Sequence, residues 1–222
     1  MPDPQQVTTV LLGTAASLAI FHTLIGVDHS LPFVAISRAR GWSLSFTLLM
    51  TSVCGVAHVA SSVMIGVVGL SLGISADSLL SLESSRGSLA AVLLISFGLT
   101  YAAWAFRSRT RRRNEAKHHA EFHGGSRASP WALFVVFALG PCEPLIPLMF
   151  VPGIARDWVA VGLIVAVFGI LTIAVMLVTV TIGYIGIRQL SPFTMFRIRF
   201  NGDVVAGLIV AASGAAVFFL AI

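Results

Sequence analysis

The sequence predicts an all-α polytopic membrane protein whose six transmembrane helices form two inverted repeats of three. Of its 222 residues, 57% are hydrophobic and only 10% are charged, and the mean hydropathy is +0.94. These values lie outside the range of a soluble domain of this size. One polar stretch, 107–130, separates two apolar halves. Because each half contains three spans, an odd number, the second half must be inverted relative to the first.

Four of the six predicted spans are uncharged runs, and each is long enough for a bilayer core that needs about 20 residues. They cover 41–76, 87–106, 158–187 and 204–222. The other two spans are interrupted. The span over 7–36 contains Asp28 and His29, and the span over 131–155 contains Glu143 within the sequence GPCEP. We therefore expect a proline-broken first helix in each repeat.

The predicted organisation is a first repeat over 1–106, a basic linker over 107–130 and a second repeat over 131–222. If the N-terminus lies outside, twelve of the 14 Lys and Arg residues fall on inner loops, and only Arg86 and Arg156 fall outside. This bias predicts a multi-pass protein of the inner (cell) membrane, with both termini outside and the linker in the cytoplasm. The bias also accounts for the pI near 10.2 without nucleic-acid binding. The N-terminus precedes the first apolar run without a basic residue, so we expect it to be retained.

Small residues predict where helices approach each other, because lipid supplies no hydrophobic drive for helix association. Gly207, Ala211 and Ala215 form one stripe on the last helix. Ser62 and Gly66 form a similar notch on the second. We assign both groups to helix packing.

Few ionisable or thiol side chains lie within the predicted spans. Imidazole and carboxylate ligands suit borderline divalent ions such as nickel, cobalt and zinc, while thiolates favour softer ions. Such groups are costly at membrane depth and usually mark a functional site. We expect a site for a transported ion and no resident cofactor. The candidate ligands are His22, Asp28, His29, His58, Cys142, Glu143 and Cys54.

The first span can bring its two histidines together only if its helix breaks. His22 and His29 are seven residues apart, so on an intact helix they share a face but lie roughly 10 Å apart along the axis. Gly26 and Pro32 favour a break, since proline removes a backbone donor and clashes with the preceding turn.

On the second helix, Met50, Cys54 and His58 recur every four residues and form one stripe. The stripe is either a series of soft ligands or ordinary packing by Met50 and Cys54. His58 is either a ligand or a histidine hydrogen-bonded to a carbonyl group between helices.

In the fourth helix, Pro141 and Pro144 flank Cys142 and Glu143, and this spacing leaves backbone carbonyl groups that need a partner, water or an ion. Here too two interpretations stay open. Glu143 either coordinates a cation or is protonated or paired with a histidine.

The linker contains the sequence KHHAEFHGG. Short histidine-rich tracts commonly bind metal weakly, and this one is either a metal-buffering segment or a solvated linker with incidental histidines. Its candidate residues are His118, His119, Glu121 and His123.

Residues 21–66 resemble the first half of the nickel/cobalt transporter superfamily and its UreH-like and sulfite-exporter-like relatives. The resemblance rests on His22, on the pair Asp28 and His29, and on GVAHVASSV at 55–63. The GPCEPLIP segment resembles the Pro-Cys helix of UreH-like and CcdA-like proteins. The permeases have H-x4-D-H where this chain has H-x5-D-H, and on a continuous helix the extra residue turns His22 by about 100° from the pair.

The resemblance and the residues together predict a transporter, not an enzyme, for a divalent transition-metal ion, with nickel or cobalt first. A phosphate-binding GxxxxGK[ST] loop is absent from the sequence, so a gradient or a partner protein is expected to drive transport. The expected partners are the lipid bilayer, the ion and a metallochaperone or metalloenzyme assembly protein. Two alternatives remain: a thiol-disulfide electron carrier using Cys54 and Cys142, and a sulfur-oxyanion exporter.

Overall fold

The computed structural model describes residues 4–115, 128–194 and 202–220, and all the regular structure in these ranges is helical, which confirms the predicted all-α class. A short 3₁₀ turn, Val27–His29, joins the first two helices. The helices are α1 Pro4–Ile25, α2 Leu31–Arg40, α3 Leu44–Ser71, α4 Ala76–Glu115, α5 Ala128–Leu139, α6 Leu145–Ile154, α7 Trp158–Thr194 and α8 Gly202–Leu220.

Five helices in the described ranges are long and apolar enough to cross a bilayer, so the protein is membrane-embedded. The five are α1, α3, α4, α7 and α8, while α5 and α6 are apolar but shorter. Large apolar side chains lie exposed along α7, including Val159, Ile170, Val178 and Ile182. A helix satisfies its backbone hydrogen bonds internally, so it can present such a surface to lipid.

Both interruptions that the sequence predicts are present as breaks between helices. The first lies between Ile25 and Leu31, and the second between Leu139 and Leu145. In the first, the chain leaves the helix at Gly26, and Pro32 lies in the first turn of α2. Proline is well tolerated there because its missing N–H has no partner in a first turn. Pro32 therefore begins the second helix rather than breaking the first.

The predicted start of the third span, at residue 87, is wrong. Helix α4 begins at Ala76, and its candidate span covers Ala76–Ser108. The span therefore contains Glu83 and Arg86. We expected Arg86 in an outer loop, but it lies within the helix. At its other end α4 continues to Glu115, into the predicted linker. The histidine-rich tract, with His118, His119, Glu121 and His123, lies outside the described residues.

Helices α4 and α8 pack antiparallel with their backbones in close approach. A Cβ atom on Gly98 would lie 2.4 Å from the backbone nitrogen of Ala211 and 2.5 Å from the carbonyl oxygen of Gly207. A Cβ on Gly207 would meet the nitrogen of Ala102 at 2.7 Å. The stripe predicted from Gly207 and Ala211 is therefore a packing face against α4, where only small residues permit this distance.

We expect Gly98→Leu to destabilise the protein by about 3 kcal/mol, because the new side chain meets backbone atoms that cannot move aside. The matched control is Gly162→Leu on α7, where a Cβ atom has nothing within 4 Å. Thermal unfolding in detergent measures the difference between the two variants. Equal midpoints for both would contradict the packing assignment.

The end of α2, the 101–104 segment of α4 and the start of α8 meet at one end of the bundle. The Arg40 guanidinium lies over the rings of Tyr101 and Trp104, 5.1 and 5.9 Å from their centroids. The Tyr101 hydroxyl donates a 2.7 Å hydrogen bond to Asp203. The connections at 72–75 and 155–157 lie at the opposite end. The helices therefore alternate in direction, and the two breaks fall between these ends.

Candidate metal centre

The first break positions three side chains that a continuous helix would separate. Gly26 has φ −66° and ψ 93°, an extended conformation, and the chain then makes one 3₁₀ turn before α2. A Cβ atom on Gly26 would lie 2.3 Å from Nδ1 of His29, so the site requires glycine at this position. The break lets His29 fold back beside His22, which lies on the last turn of α1.

Three imidazoles converge at this point. One ring nitrogen from each of His22, His29 and His58 lies within 4.8 Å of the other two. The ring centroids of His22 and His29 are 4.9 Å apart, and those of His29 and His58 are 5.1 Å apart. The three residues come from α1, the 3₁₀ turn and α3, so the cluster joins parts of the chain that are distant in sequence.

Hydrogen bonds fix which ring nitrogen carries the proton in two of the three histidines. Nδ1 of His29 donates to the Asp28 carboxylate at 3.0 Å and to the Gly26 carbonyl at 3.2 Å. Nδ1 of His58 donates to the carbonyl oxygen of Phe137 at 3.3 Å. Because carbonyl and carboxylate oxygens accept only, both Nδ1 atoms carry hydrogen, and each Nε2 of the neutral rings has a free lone pair.

The Nε2 atoms of all three histidines are buried, and within the described residues none has a hydrogen-bond partner. An unpaired polar atom in an apolar interior is costly, so a cluster of three calls for water molecules or an ion as partners. Imidazole nitrogens bind divalent ions such as zinc at about 2.0–2.1 Å, which sets them about 3.4 Å apart in a tetrahedral site. The three ring nitrogens lie within 4.8 Å of one another, so the rings would have to move closer together to bind one ion.

The second break supports His58 from the opposite side. Phe137, which accepts the Nδ1 hydrogen of His58, lies in the last turn of α5. Gly140 follows at the break, and a Cβ atom there would lie 3.1 Å from Nδ1 of His58. Metal-binding histidines usually donate their other N–H to a carbonyl or carboxylate group, which orients the ring. Asp28 and Phe137 provide such partners for His29 and His58.

Asp28 and His58 line one cavity, together with Gly87, Gly140 and Pro141. The cavity lies between α4, α5 and α8. Asp28 is 27% exposed, whereas His29 is nearly fully buried. A carboxylate at the open side of a buried nitrogen cluster supplies negative charge for an incoming cation.

The structure brings together four of the seven candidate ligands: His22, Asp28, His29 and His58. The one-residue difference in spacing does not turn His22 away, because the helix ends at Ile25 and the 100° rotation applies only to a continuous helix. His22 is thus part of the cluster.

The other three candidates lie outside the imidazole cluster. Cys54 is buried among apolar side chains that include Phe33 and Met176, and Cys142 is buried in a different cluster with Val59 and Phe168. Both cysteines are free thiols. Glu143 is exposed beside the cavity, where its Oε1 would lie 3.8 Å from a Cβ atom on Gly87.

Sequence reasoning missed a buried ion pair on α4. Glu83 is fully buried and forms a salt bridge with Arg86, one turn later on the same helix. Ser62, which we expected to serve packing alone, donates a 3.0 Å hydrogen bond to Glu83. Arg86, expected outside the spans, therefore carries its charge within the span of α4. The signal was an acid and a base three residues apart, which neutralise each other on one helix face.

Comparisons with known proteins do not add a family to this description. No protein-family model, curated protein or solved structure matches the chain. The functional argument therefore rests on the geometry of the site.

Proposed function

We propose that the protein transports a divalent transition-metal ion, with nickel and cobalt as the first candidates and zinc as a chemically similar one. The ligands are His22, His29 and His58, and Asp28 orients His29 and lowers the cost of bringing in positive charge. One observation carries this proposal: three imidazoles converge in a membrane-embedded protein, and within the described residues the buried Nε2 atom of each has no hydrogen-bond partner. The preference for nickel and cobalt within this group rests on the resemblance of residues 21–66.

The ligand set favours borderline ions over soft ones. Imidazole suits nickel, cobalt, zinc and copper(II), while copper(I) is selected by thiolates and thioethers. Cys54 and Cys142 are buried in apolar clusters and do not belong to the group of three imidazoles. We assign them to packing, and we assign Glu143 to the mouth of the cavity, where its charge attracts cations.

The proposed transport mechanism is alternating access between two inverted halves. In this arrangement α5 and α6 together form the sixth crossing, and each half consists of one broken helix followed by two long ones. The breaks meet at His58, and a substrate site between broken helices is typical of transporters built from inverted repeats. The end of the bundle at which α2 ends with Arg40 and α8 begins then faces the cytoplasm. No chemical conversion of the ion is involved.

The direct test is metal flux into proteoliposomes, with nickel, cobalt, zinc and manganese compared at equal concentration. We expect saturable flux of one or more of the first three and little flux of manganese, which prefers oxygen ligands. Because unprotonated imidazoles bind the ion, acidification is expected to weaken its binding. Flux equal to that of protein-free vesicles for every ion would contradict the proposal.

Replacing Asp28 with asparagine tests the role of the carboxylate. We expect Asp28→Asn to lower metal affinity by 10- to 100-fold, the usual effect of losing a partner that orients a ligating histidine. Equilibrium dialysis of the purified protein measures the affinity. The matched control is Asp157→Asn in the α6–α7 connection, where the carboxylate accepts a hydrogen bond from the backbone N–H of Ala160. A similar loss in both variants would show that position 28 has no special role.

A further inference from the structure

Glu83 forms a buried junction between three parts of the chain. Its carboxylate accepts hydrogen bonds from the Ser62 hydroxyl on α3 at 3.0 Å and from the Cys142 backbone N–H at the second break at 3.1 Å. It also forms the salt bridge with Arg86 on its own helix. The side chain of Glu83 is fully buried, while that of Arg86 is 13% exposed. All three donors point at one carboxylate.

Arg86 extends the junction to the same two neighbours. Its guanidinium donates to the Ser61 hydroxyl on α3 at 2.9 Å and to the Ala138 carbonyl at the end of α5 at 3.2 Å. The pair thus holds both sides of the second break. Taking two charges out of water costs free energy that can exceed their mutual attraction, so a buried pair is a weak source of stability and a better candidate for a switch.

The junction and the metal site share the second break. Gly140 and Phe137 contact His58. In the same break, the Cys142 N–H donates to Glu83, and Arg86 donates to the Ala138 carbonyl. Ser61 and Ser62 follow His58 by about one helical turn, towards the connection at 72–75. The ion pair therefore lies between the histidine cluster and that end of the bundle.

Close packing continues beyond the ion pair as far as Leu70 and Gly153, which border a cavity of about 560 Å³ between the 72–75 and 155–157 connections. A Cβ atom on Gly153 would lie 2.7 Å from the Leu70 side chain, and one on Gly69 would lie 2.5 Å from that of Leu79. Met149 is fully buried against Gly66. Helices α3, α4 and α6 thus pack closely between the histidine site and this cavity.

We propose that the Glu83–Arg86 pair is the latch of a gate that closes the histidine site from the 72–75 end. In this arrangement the second break is the moving part. When the hydrogen bonds to Cys142 and Ala138 are released, α6 separates from α3 and α4, and the site opens to that end. The gate rests on the transport cycle proposed above. The latch itself is tested by measuring access to the break, and this test does not depend on which ion is transported.

Access to Cys142 reports the state of the latch, because this thiol is fully buried at the break. The experiment uses the full-length protein with Cys54→Ala, reconstituted in vesicles, and a membrane-impermeant methanethiosulfonate reagent. Two variants release the latch: Ser62→Ala removes one donor to Glu83, and Glu83→Gln with Arg86→Gln removes both charges. The control is Ser52→Ala on the same helix, whose hydroxyl donates to the carbonyl of Leu48, one turn earlier on that helix.

We expect both latch variants to label Cys142 at least about 10-fold faster than the parent, and the control to label at the parent rate. Cys142 should be labelled only when the reagent is added on the side from which it also labels Ser75→Cys. This separately prepared variant marks the 72–75 connection. Metal affinity should stay within about threefold, because the histidines are untouched. Equal rates of Cys142 labelling in the parent and in Ser62→Ala would overturn the latch, even if the double variant does not fold. Faster labelling from both sides of the membrane would also overturn it.

The latch and the transport proposal fail in distinguishable ways. Absence of metal binding to the parent protein would overturn the proposed function and leave the one-sided labelling result intact. Parental labelling rates in the latch variants, together with normal metal binding, would overturn the latch alone.

Discussion

His58→Ala is expected to reduce metal flux to the level of protein-free vesicles, with a loss of at least about 100-fold in metal affinity. The change removes one of three imidazoles, and even the loss of a partner that orients a ligand costs 10- to 100-fold. It also removes the 3.3 Å hydrogen bond to the Phe137 carbonyl, so the second break loses one of its contacts with the site. Flux of nickel, cobalt and zinc, with affinity measured separately by equilibrium dialysis, checks this result.

The matched control for His58→Ala is Cys54→Ala, one turn earlier on the same stripe of α3. Because Cys54 lies in an apolar cluster, we expect its flux to stay within about twofold of the parent. Transport that survives His58→Ala but is lost in Cys54→Ala would contradict the imidazole site and favour the thiol-disulfide carrier. Loss in both variants, with a lowered unfolding temperature in both, would show instead that α3 packing controls the result.

Glu83→Gln alone is expected to destabilise the protein by about 3–5 kcal/mol, because it leaves the Arg86 guanidinium largely buried without a counter-charge. Adding Arg86→Gln should recover most of this loss, since two neutral amides can occupy the same space without an unpaired charge. Thermal unfolding in detergent measures both effects. The control is Asp77→Asn in the first turn of the same helix, where the carboxylate is exposed and only a favourable helix-dipole interaction is lost.

A parental unfolding midpoint for Glu83→Gln would contradict the buried ion pair. A double variant that unfolds as easily as the single one would show that the hydrogen bonds of Glu83, rather than the balance of charge, carry its contribution.

Several features of the fold follow from local sequence alone. Long apolar runs require helices that cross a membrane, since a helix is the only spanning segment that satisfies its backbone within itself. Glycine and proline near Asp28 and near Glu143 predict breaks, and the structure has a break at each place. The small residues Gly207 and Ala211 predict a close helix contact, although the sequence does not identify α4 as the partner.

Other features depend on contacts between distant residues. The third span begins earlier than the uncharged run predicts, because a charged residue does not always mark the limit of a span. Glu83 and Arg86 nevertheless lie within α4, where they neutralise each other and bind Ser62 and the second break. A rule that counts charges one at a time misses such a pair, because the partner determines whether a charge is tolerated.

The sequence by itself determined that this is a helical membrane protein, interrupted twice, with histidine and acidic side chains at the first interruption. Composition and periodicity suffice for that, because burial in lipid acts on each helix separately. Only the tertiary structure decided which polar groups meet. It joined His22 to His29 through the turn after Gly26, brought His58 to them, and left Cys54, Cys142 and Glu143 outside the cluster. Side-chain convergence depends on the angles at which helices break and pack, and these angles are set by contacts between segments far apart in the chain.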